Sequence, residues 1–143
     1  MKKIVVINNK IKKFNVDAIN IIGDKSISIR FIIFASLSNG KCIAKNILKS
    51  EDVFSVIKII RKLGIKIKLK KNNCEVYGKG LNGYRFKKNL ILDAGNSGTT
   101  ARLICAALIN SNHNIKITGD ESLKKRDMQR IIDPLKKFGL NFK

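Results

Sequence analysis

Apolar runs and helical stripes alternate along the first part of the chain. Short apolar runs predict buried strands at residues 4–7 and 19–22. Residues 26–37 are apolar nearly all round, which predicts a helix that lies inside the fold. Asn39-Gly40 has the residue types that end a helix, and a strand is expected over residues 42–46.

A second helix and a hairpin are expected next. Ser50-Glu51-Asp52 offers a capping hydroxyl and two acids for a helix start, and Gly64 closes the helix. The apolar positions with helical spacing are Val53, Val56, Ile57, Ile60 and Leu63. Apolar and lysine residues alternate over residues 65–69, which predicts a strand with one face in water, and residues 74–77 return beside it.

The same order of elements then starts again. A strand is expected at residues 90–92, a tight glycine turn at residues 95–98 and a mostly apolar helix at residues 99–109. Residues 114–118 form the next expected strand, and Gly139 ends a last helix. The apolar stripe of that helix consists of Met128, Ile131, Ile132, Leu135 and Phe138.

Landmarks of the two halves recur at nearly the same offset. Arg102 follows Arg30 by 72 residues. Gly139 follows Gly64 by 75 residues. The sequence therefore predicts an α/β fold (α+β by some schemes) with an internal duplication of strand–helix–strand–helix–strand–strand units, one complete and one truncated. Because the second copy stops within its sheet, we expect the chain to be the front part of something longer.

Charge is the unusual feature of the composition. The 143 residues contain 30 Lys and Arg against 10 Asp and Glu, a net charge of +20, whereas 44% hydrophobic residues suffice for an ordinary core. Such a charge attracts polyanions, so a basic nucleic-acid-binding protein is one alternative. The lysines are spread along the whole chain rather than gathered in a tail, which disfavours nucleic acid as the main partner.

Three separated cysteines, Cys42, Cys74 and Cys105, lack the spacing of a zinc site and predict reduced thiols. The apolar run at residues 4–7 is too short for a signal-peptide core, and no segment approaches the length of a membrane span. The sequence therefore predicts a cytoplasmic protein with no membrane partner and no metal.

Three corners carry candidate chemistry, each at a helix start. They are Lys25-Ser26 with Arg30, the turn Gly95-Asn96-Ser97-Gly98-Thr99 with Arg102, and Gly119-Asp120-Glu121 followed by Lys124-Lys125-Arg126 at the head of the last helix. Helix N-termini offer unpaired N–H groups and a positive dipole end, and lysine and arginine add positive charge. Such a set predicts sites for small anions such as phosphates or carboxylates.

The same three corners resemble the signatures of one enzyme family, the 5-enolpyruvylshikimate-3-phosphate synthases. The matching motifs are Gly23-Asp24-Lys25-Ser26-Ile27-Ser28-x-Arg30, Asp93-Ala94-Gly95-Asn96-Ser97-Gly98-Thr99-Thr100-x-Arg102, and Thr118-Gly119-Asp120-Glu121-Ser122-Leu123-x-x-Arg126-x-Met128. Order and spacing agree along nearly the whole chain, which is far more specific than a single glycine turn.

The resemblance implies a fold and a reaction. The family transfers the enolpyruvyl group of phosphoenolpyruvate to the 5-hydroxyl of shikimate 3-phosphate, on the way to chorismate and the aromatic amino acids, without a cofactor. Its enolpyruvyl transferase fold has two domains of three βαβαββ units each. On that plan residues 1–21 belong to a domain that is otherwise missing, residues 22–83 form the first unit, and residues 84–143 form a truncated second unit.

The resemblance also implies substrate-binding residues. Lys25 is expected to touch both substrates, and Ser26 and Arg30 to hold shikimate 3-phosphate. The residues implied for phosphoenolpyruvate are Asn96, Gly98, which leaves room for its approach, and Arg126. No residue of this chain matches the family's acidic proton-transfer groups, so no catalytic residue is assigned and the chain alone is expected to be inactive.

Two further alternatives remain at this stage. A transferase of the same fold that acts on UDP-N-acetylglucosamine carries a reactive cysteine before the helix of the third motif, and residues 119–127 contain none. The other alternative is a non-catalytic anion-binding remnant, made by truncation or by a split gene. A missing C-terminal portion is a candidate partner of this chain.

Overall fold

The computed structural model describes residues 21–71 and 73–142. The first helix, α1, covers Lys25–Leu37, and Asp24 caps it by accepting a hydrogen bond from the Ile27 N–H at 2.7 Å. The predicted strand at residues 4–7 lies outside the described residues, as does the start of the one at residues 19–22. Ile21 and Ile22 are exposed and irregular.

A three-stranded antiparallel sheet follows. Strand β1 is Asn39–Lys45, helix α2 is Glu51–Lys62, and strands β2 and β3 are Lys66–Leu69 and Asn73–Lys79. The order in the sheet is β1-β3-β2. Asn39-Gly40 belongs to β1 instead of ending α1, because Ser38 already closes the helix through its N–H to the Phe34 carbonyl.

The second half is built on a parallel pair of strands. Strand β4 is Leu90–Asp93, helix α3 is Gly98–Ala107, and β5 is Ile115–Thr118, which pairs with β4 in parallel. The expected last helix is divided into α4, Glu121–Lys124, and α5, Gln129–Lys137. The α/β character is as predicted, whereas the full repeat unit stays a prediction.

One core joins both halves. It is formed by one side of α1, the apolar stripe of α2 and the inner residues of the sheets, among them Ile32, Val56, Val76 and Leu92, all fully buried. We expected α1 to be buried on all sides, but it is not. Ile27 and Phe34, on the side away from the core, are 69% and 63% exposed.

The helices α2 and α5 end alike, 75 residues apart. Gly64 and Gly139 both have positive φ, 85° and 88°. The N–H of each glycine bonds to the carbonyl three residues back, at Arg61 and Lys136, both at 3.0 Å. The next N–H in each case bonds five residues back. Such a helix end, with glycine in the left-handed conformation, is a common way to end a helix. It occurs twice here, at the predicted offset of 75 residues.

Candidate functional site

The glycine turn after β4 and the loop after β5 lie side by side. Because β4 and β5 are parallel neighbours, their carboxyl ends meet at one edge of the sheet. The Asp120 N–H bonds to the Gly95 carbonyl at 3.0 Å. A Cβ at Gly119 would stand 2.3 Å from that same oxygen, so only glycine permits this close approach. The second and third predicted corners therefore form one site.

Asn96 links an acid and a base at this edge. Its Nδ2 donates to Asp120 Oδ2 at 2.6 Å, and its Oδ1 accepts from Arg126 Nη2 at 2.6 Å. The other Asp120 oxygen caps α4 by accepting the Leu123 N–H at 2.7 Å. Hydrogen bonds from that N–H and then from Asn96 hold the pKa of Asp120 below its usual value, so the carboxylate remains ionised.

Two guanidinium groups stand over the start of α3. A Cβ at Gly98 would lie 3.0 Å from Arg126 Nη1 and 3.1 Å from Arg102 Nη1. Ser97 caps the helix, and its Oγ accepts from the Thr100 hydroxyl at 2.9 Å. A helix N-terminus and two cations thus converge on one point, the arrangement that suits a carboxylate or a phosphate.

Arg102 was predicted as part of the second corner, but it was not assigned to a substrate. Its Nη2 donates to the Asp127 carbonyl at 3.1 Å, whereas its buried Nε has no hydrogen-bond partner in the described part of the chain. Its position four residues after Gly98, one helical turn on, was the available signal. Arg126 was predicted at the head of the last helix, but it lies in the turn between α4 and α5.

The first corner lies on α1 and is organised separately. Lys25 Nζ is 3.0 Å from Asp52 Oδ2 on α2. Arg30 Nη1 donates to the Ser26 carbonyl at 3.2 Å, one turn back along α1. Lys25 and Arg30 are exposed and Ser26 is half-buried, so all three are open to a ligand.

The start of α2 connects the two parts of the site. Asp52 pairs with Lys25, and Ser55, one turn further on, lies 3.0 Å from the point where Gly95 would carry a Cβ. Within residues 21–71 and 73–142 no hydrogen bond or ion pair joins Lys25, Ser26 or Arg30 directly to Asn96 or Arg126. The structure therefore places the six predicted residues in two groups of three. Lys25, Ser26 and Arg30 lie on α1, whereas Asn96, Gly98 and Arg126 lie at the start of α3 and in the neighbouring turns.

The described residues offer no metal site and no membrane helix. Nowhere in them do three His, Cys, Asp or Glu side chains come together as metal ligands. None of the helices described has both the length and the apolar character of a membrane span. The three cysteines are free thiols, and burial raises the pKa of Cys74 to about 11.

An α/β structure with cations and helix starts gathered at strand ends has the arrangement typical of proteins that bind small anions. Comparison with known proteins is more specific. The sequence model of one family, EPSP synthase (3-phosphoshikimate 1-carboxyvinyltransferase), matches residues 10–143. The chain therefore belongs to the EPSP synthase family.

Relatives and solved structures agree with that family. The chain is 43% identical over 135 residues, 94% of its length, to the 3-phosphoshikimate 1-carboxyvinyltransferase of Syntrophomonas wolfei, and 46% identical over 114 residues to that of Bacillus cytotoxicus. It is similar to the solved EPSP synthase from Acinetobacter baumannii, with a TM-score of 0.78 and 34% identity over 84% of this chain. It spans only 31%, 27% and 27% of these three proteins.

Proposed function

We propose that this chain supplies substrate-binding groups of a 3-phosphoshikimate 1-carboxyvinyltransferase. That activity moves the enolpyruvyl group of phosphoenolpyruvate to the 5-hydroxyl of shikimate 3-phosphate and releases phosphate. The observation that carries the proposal is the group formed by Asn96, Gly98, Arg102 and Arg126, in which two guanidinium groups face a helix N-terminus.

Phosphoenolpyruvate is assigned to this second group. Its carboxylate and phosphate are both anionic, and a single guanidinium can bind such a group with two parallel hydrogen bonds. Arg126 is held in place by Asn96, and the missing side chain of Gly98 leaves the space that the ligand needs. Shikimate 3-phosphate is assigned to Ser26 and Arg30.

Lys25 serves both substrates in this proposal. Its ammonium group is more than half exposed and lies at the start of α1, beside α2. The lysine ammonium is a compact charge on a flexible side chain, so it can stay close to a phosphate that moves during the reaction. The Arg126 guanidinium is less free to move, because Asn96 holds it. The proton transfer to the enol carbon needs a placed acid, which we assign to a portion of the protein beyond these 143 residues.

We include in this proposal the division of the chain into structural units and its location in the cytoplasm. Residues 1–21 would lie with a domain supplied by the remaining portion, residues 22–83 would form one unit, and residues 84–143 would form part of the next. That remaining portion is the partner that we propose for this chain. Free Cys42, Cys74 and Cys105 support a reducing cytoplasm.

Calorimetric titration of the 143-residue chain with phosphoenolpyruvate tests the assignment. Arg126→Gln should weaken binding by about tenfold or more, because a charge-assisted hydrogen bond contributes about 1.5–3 kcal/mol. Arg130→Gln is the matched control, since Arg130 is exposed four residues further along and the variant loses the same charge. Equal weakening in both variants would contradict the assignment, as would no binding by the parent chain.

A further inference from the structure

The outer face of the three-stranded sheet concentrates lysine. Strand alternation turns Lys66 and Lys68 of β2 outward, with Lys70 directly after the strand. In the register of the sheet, Lys41 of β1 and Lys66 are both opposite Tyr77 of the central strand β3. We define the outer lysine face as Lys41, Lys66, Lys68 and Lys70, with Glu75 and Tyr77 between them.

The Tyr77 ring brings three ammonium groups together. The Nζ atoms of Lys66, Lys41 and Lys68 lie 5.4, 5.9 and 5.9 Å from its centroid. The Tyr77 hydroxyl donates to Glu75 Oε2 at 2.9 Å, which fixes the ring. Cation–π attraction therefore holds like charges close to one another on a flat surface.

Glu75 is the one carboxylate of the outer lysine face, and it pairs with two of the four lysines. Glu75 Oε1 lies 2.9 Å from Lys70 Nζ and 3.5 Å from Lys41 Nζ. Lys66 and Lys68 form no ion pair with any carboxylate in the described part of the chain. The face therefore has an excess of positive charge whose mutual repulsion a bound polyanion would relieve.

The spacing of the lysines suits a linear ligand. Lys66, Lys68 and Lys70 are each two residues apart along an extended chain, about 6.6 Å per step. The phosphates of a stretched single-stranded nucleic acid have a similar separation. The face includes one strongly exposed large hydrophobic residue, Ile43 at 52%, and so lacks the broad apolar surface by which proteins insert into a membrane.

We propose that the outer lysine face binds the phosphodiester backbone of single-stranded RNA or DNA. The opposite face of the sheet, with Cys74 and Val76, packs on the core with α1 and α2, so this surface is separate from the substrate site. Lysine ammonium groups read phosphate charge and not sequence, so binding is independent of sequence and strongly dependent on salt.

Fluorescence anisotropy with labelled single-stranded RNA and DNA of one sequence, at several salt concentrations, tests the proposal on the 143-residue chain. Lys66→Gln with Lys68→Gln should weaken binding by about tenfold and lower the salt slope by about 1.4, since each phosphate contact contributes about 0.7. Lys87→Gln with Lys88→Gln loses the same two charges from another exposed segment and should change neither value.

A rescue variant and competing ligands complete the test. Lys66→Arg with Lys68→Arg keeps both charges and should retain binding, which separates charge from any effect on folding.

Comparing RNA with DNA identifies which strand is preferred, because only RNA offers the 2′-hydroxyl. Equal losses in the two glutamine variants would overturn the proposal in favour of general basicity. Tighter, equally lysine-dependent binding to phosphatidylserine vesicles would overturn it in favour of a membrane surface.

Discussion

Asn96 shows how much one neutral side chain can organise. Its carbonyl oxygen faces Arg126 and its amide nitrogen faces Asp120, so its two ends satisfy groups of opposite charge. The sequence prediction placed Asn96 beside the ligand. The structure adds that Asn96 also fixes the guanidinium of Arg126, and it couples that group to the cap of α4.

Glu75 makes stability depend on acid pH. Hydrogen bonds from Lys70 and Tyr77 lower the pKa of Glu75 to about 2, from an ordinary 4.5. Because the pKa is lower in the folded state, the carboxylate stabilises the fold above pH about 4.5, and this contribution is lost as the pH falls to about 2. We expect Glu75→Gln to reduce that acid-dependent loss, as measured by urea midpoints over this range.

A control isolates the Glu75 effect. Glu51→Gln removes an exposed carboxylate at the start of α2 that pairs with no lysine in residues 21–71 and 73–142. It should leave the acid-dependent loss close to that of the parent chain. A Glu75→Gln variant with the same pH dependence as the parent would show that the carboxylate gains nothing from its lysines.

At the scale of helices and strands, a substitution at the start of α3 should change ligand affinity without lowering stability. Gly98 has an ordinary backbone conformation, and the nearest neighbours of a Cβ there would be side-chain atoms of Arg102 and Arg126. Gly98→Ala should therefore leave the melting temperature unchanged or raise it, because alanine favours a helix by up to about 1 kcal/mol. Phosphoenolpyruvate affinity should fall by about tenfold as the two guanidinium groups move apart.

Thr99→Ala, one position further along α3, is the control for this substitution and should leave the affinity unchanged. Calorimetric titration and thermal melting of both variants give the two readouts. A Gly98→Ala chain that melts early would place the role of this glycine in folding instead of ligand access.

The matching helix ends give an internal comparison. Gly64 and Gly139 have nearly equal positive φ, where an alanine costs about 1–2 kcal/mol. A Cβ at Gly64 would also stand 2.6 Å from the Arg85 carbonyl oxygen, whereas a Cβ at Gly139 meets no atom within 4 Å. Gly64→Ala should therefore lower the free energy of unfolding more than Gly139→Ala. Equal losses in urea unfolding would exclude the contact with Arg85 as a cause.

Local sequence signals predicted the helices and strands well, but they predicted poorly which of these elements lie next to one another. Asp24 and Ser97 mark helix starts by short-range capping, so α1 and α3 begin within one residue of expectation. Ser50 occupies its cap position, but the predicted capping hydroxyl makes no cap hydrogen bond. The break before α5 was missed because Lys124-Lys125-Arg126 leads into the apolar stripe at Met128 without a glycine or proline between them. Which corners meet was not predictable, since the pairing of β4 with β5 is a tertiary contact.

At the scale of the whole molecule, the described part of the chain combines the candidate site with an interior that it leaves partly open. An open apolar hollow of about 1160 Å³ lies between α3, β5 and α5. Residues of the predicted stripe border it, and Phe138 at the end of that stripe is 75% exposed. The chain spans 31% of the length of the Syntrophomonas wolfei relative.

We expect the 143-residue chain to release no phosphate from the two substrates together. The carboxylates nearest the site already have structural roles: Asp52 pairs with Lys25, Asp120 binds Asn96, and Glu121 pairs with Lys124. None is a placed acid for the enol carbon. A phosphate-release assay checks this, with the full-length Acinetobacter baumannii enzyme as the positive control. Turnover by this chain alone would contradict the division of roles.

The ion pair between Lys25 and Asp52 has a consequence for ligand affinity. In the free protein Asp52 occupies the lysine, so an arriving phosphate must displace an internal competitor before it gains that contact. On the proposed assignment of Lys25, the net gain from its contact with a phosphate is therefore reduced by the loss of the ion pair with Asp52. The same pair keeps the lysine extended towards α2 while the site is empty. In the proposed site, Asp52 therefore both competes with the ligand for Lys25 and fixes the position of Lys25 before the ligand arrives.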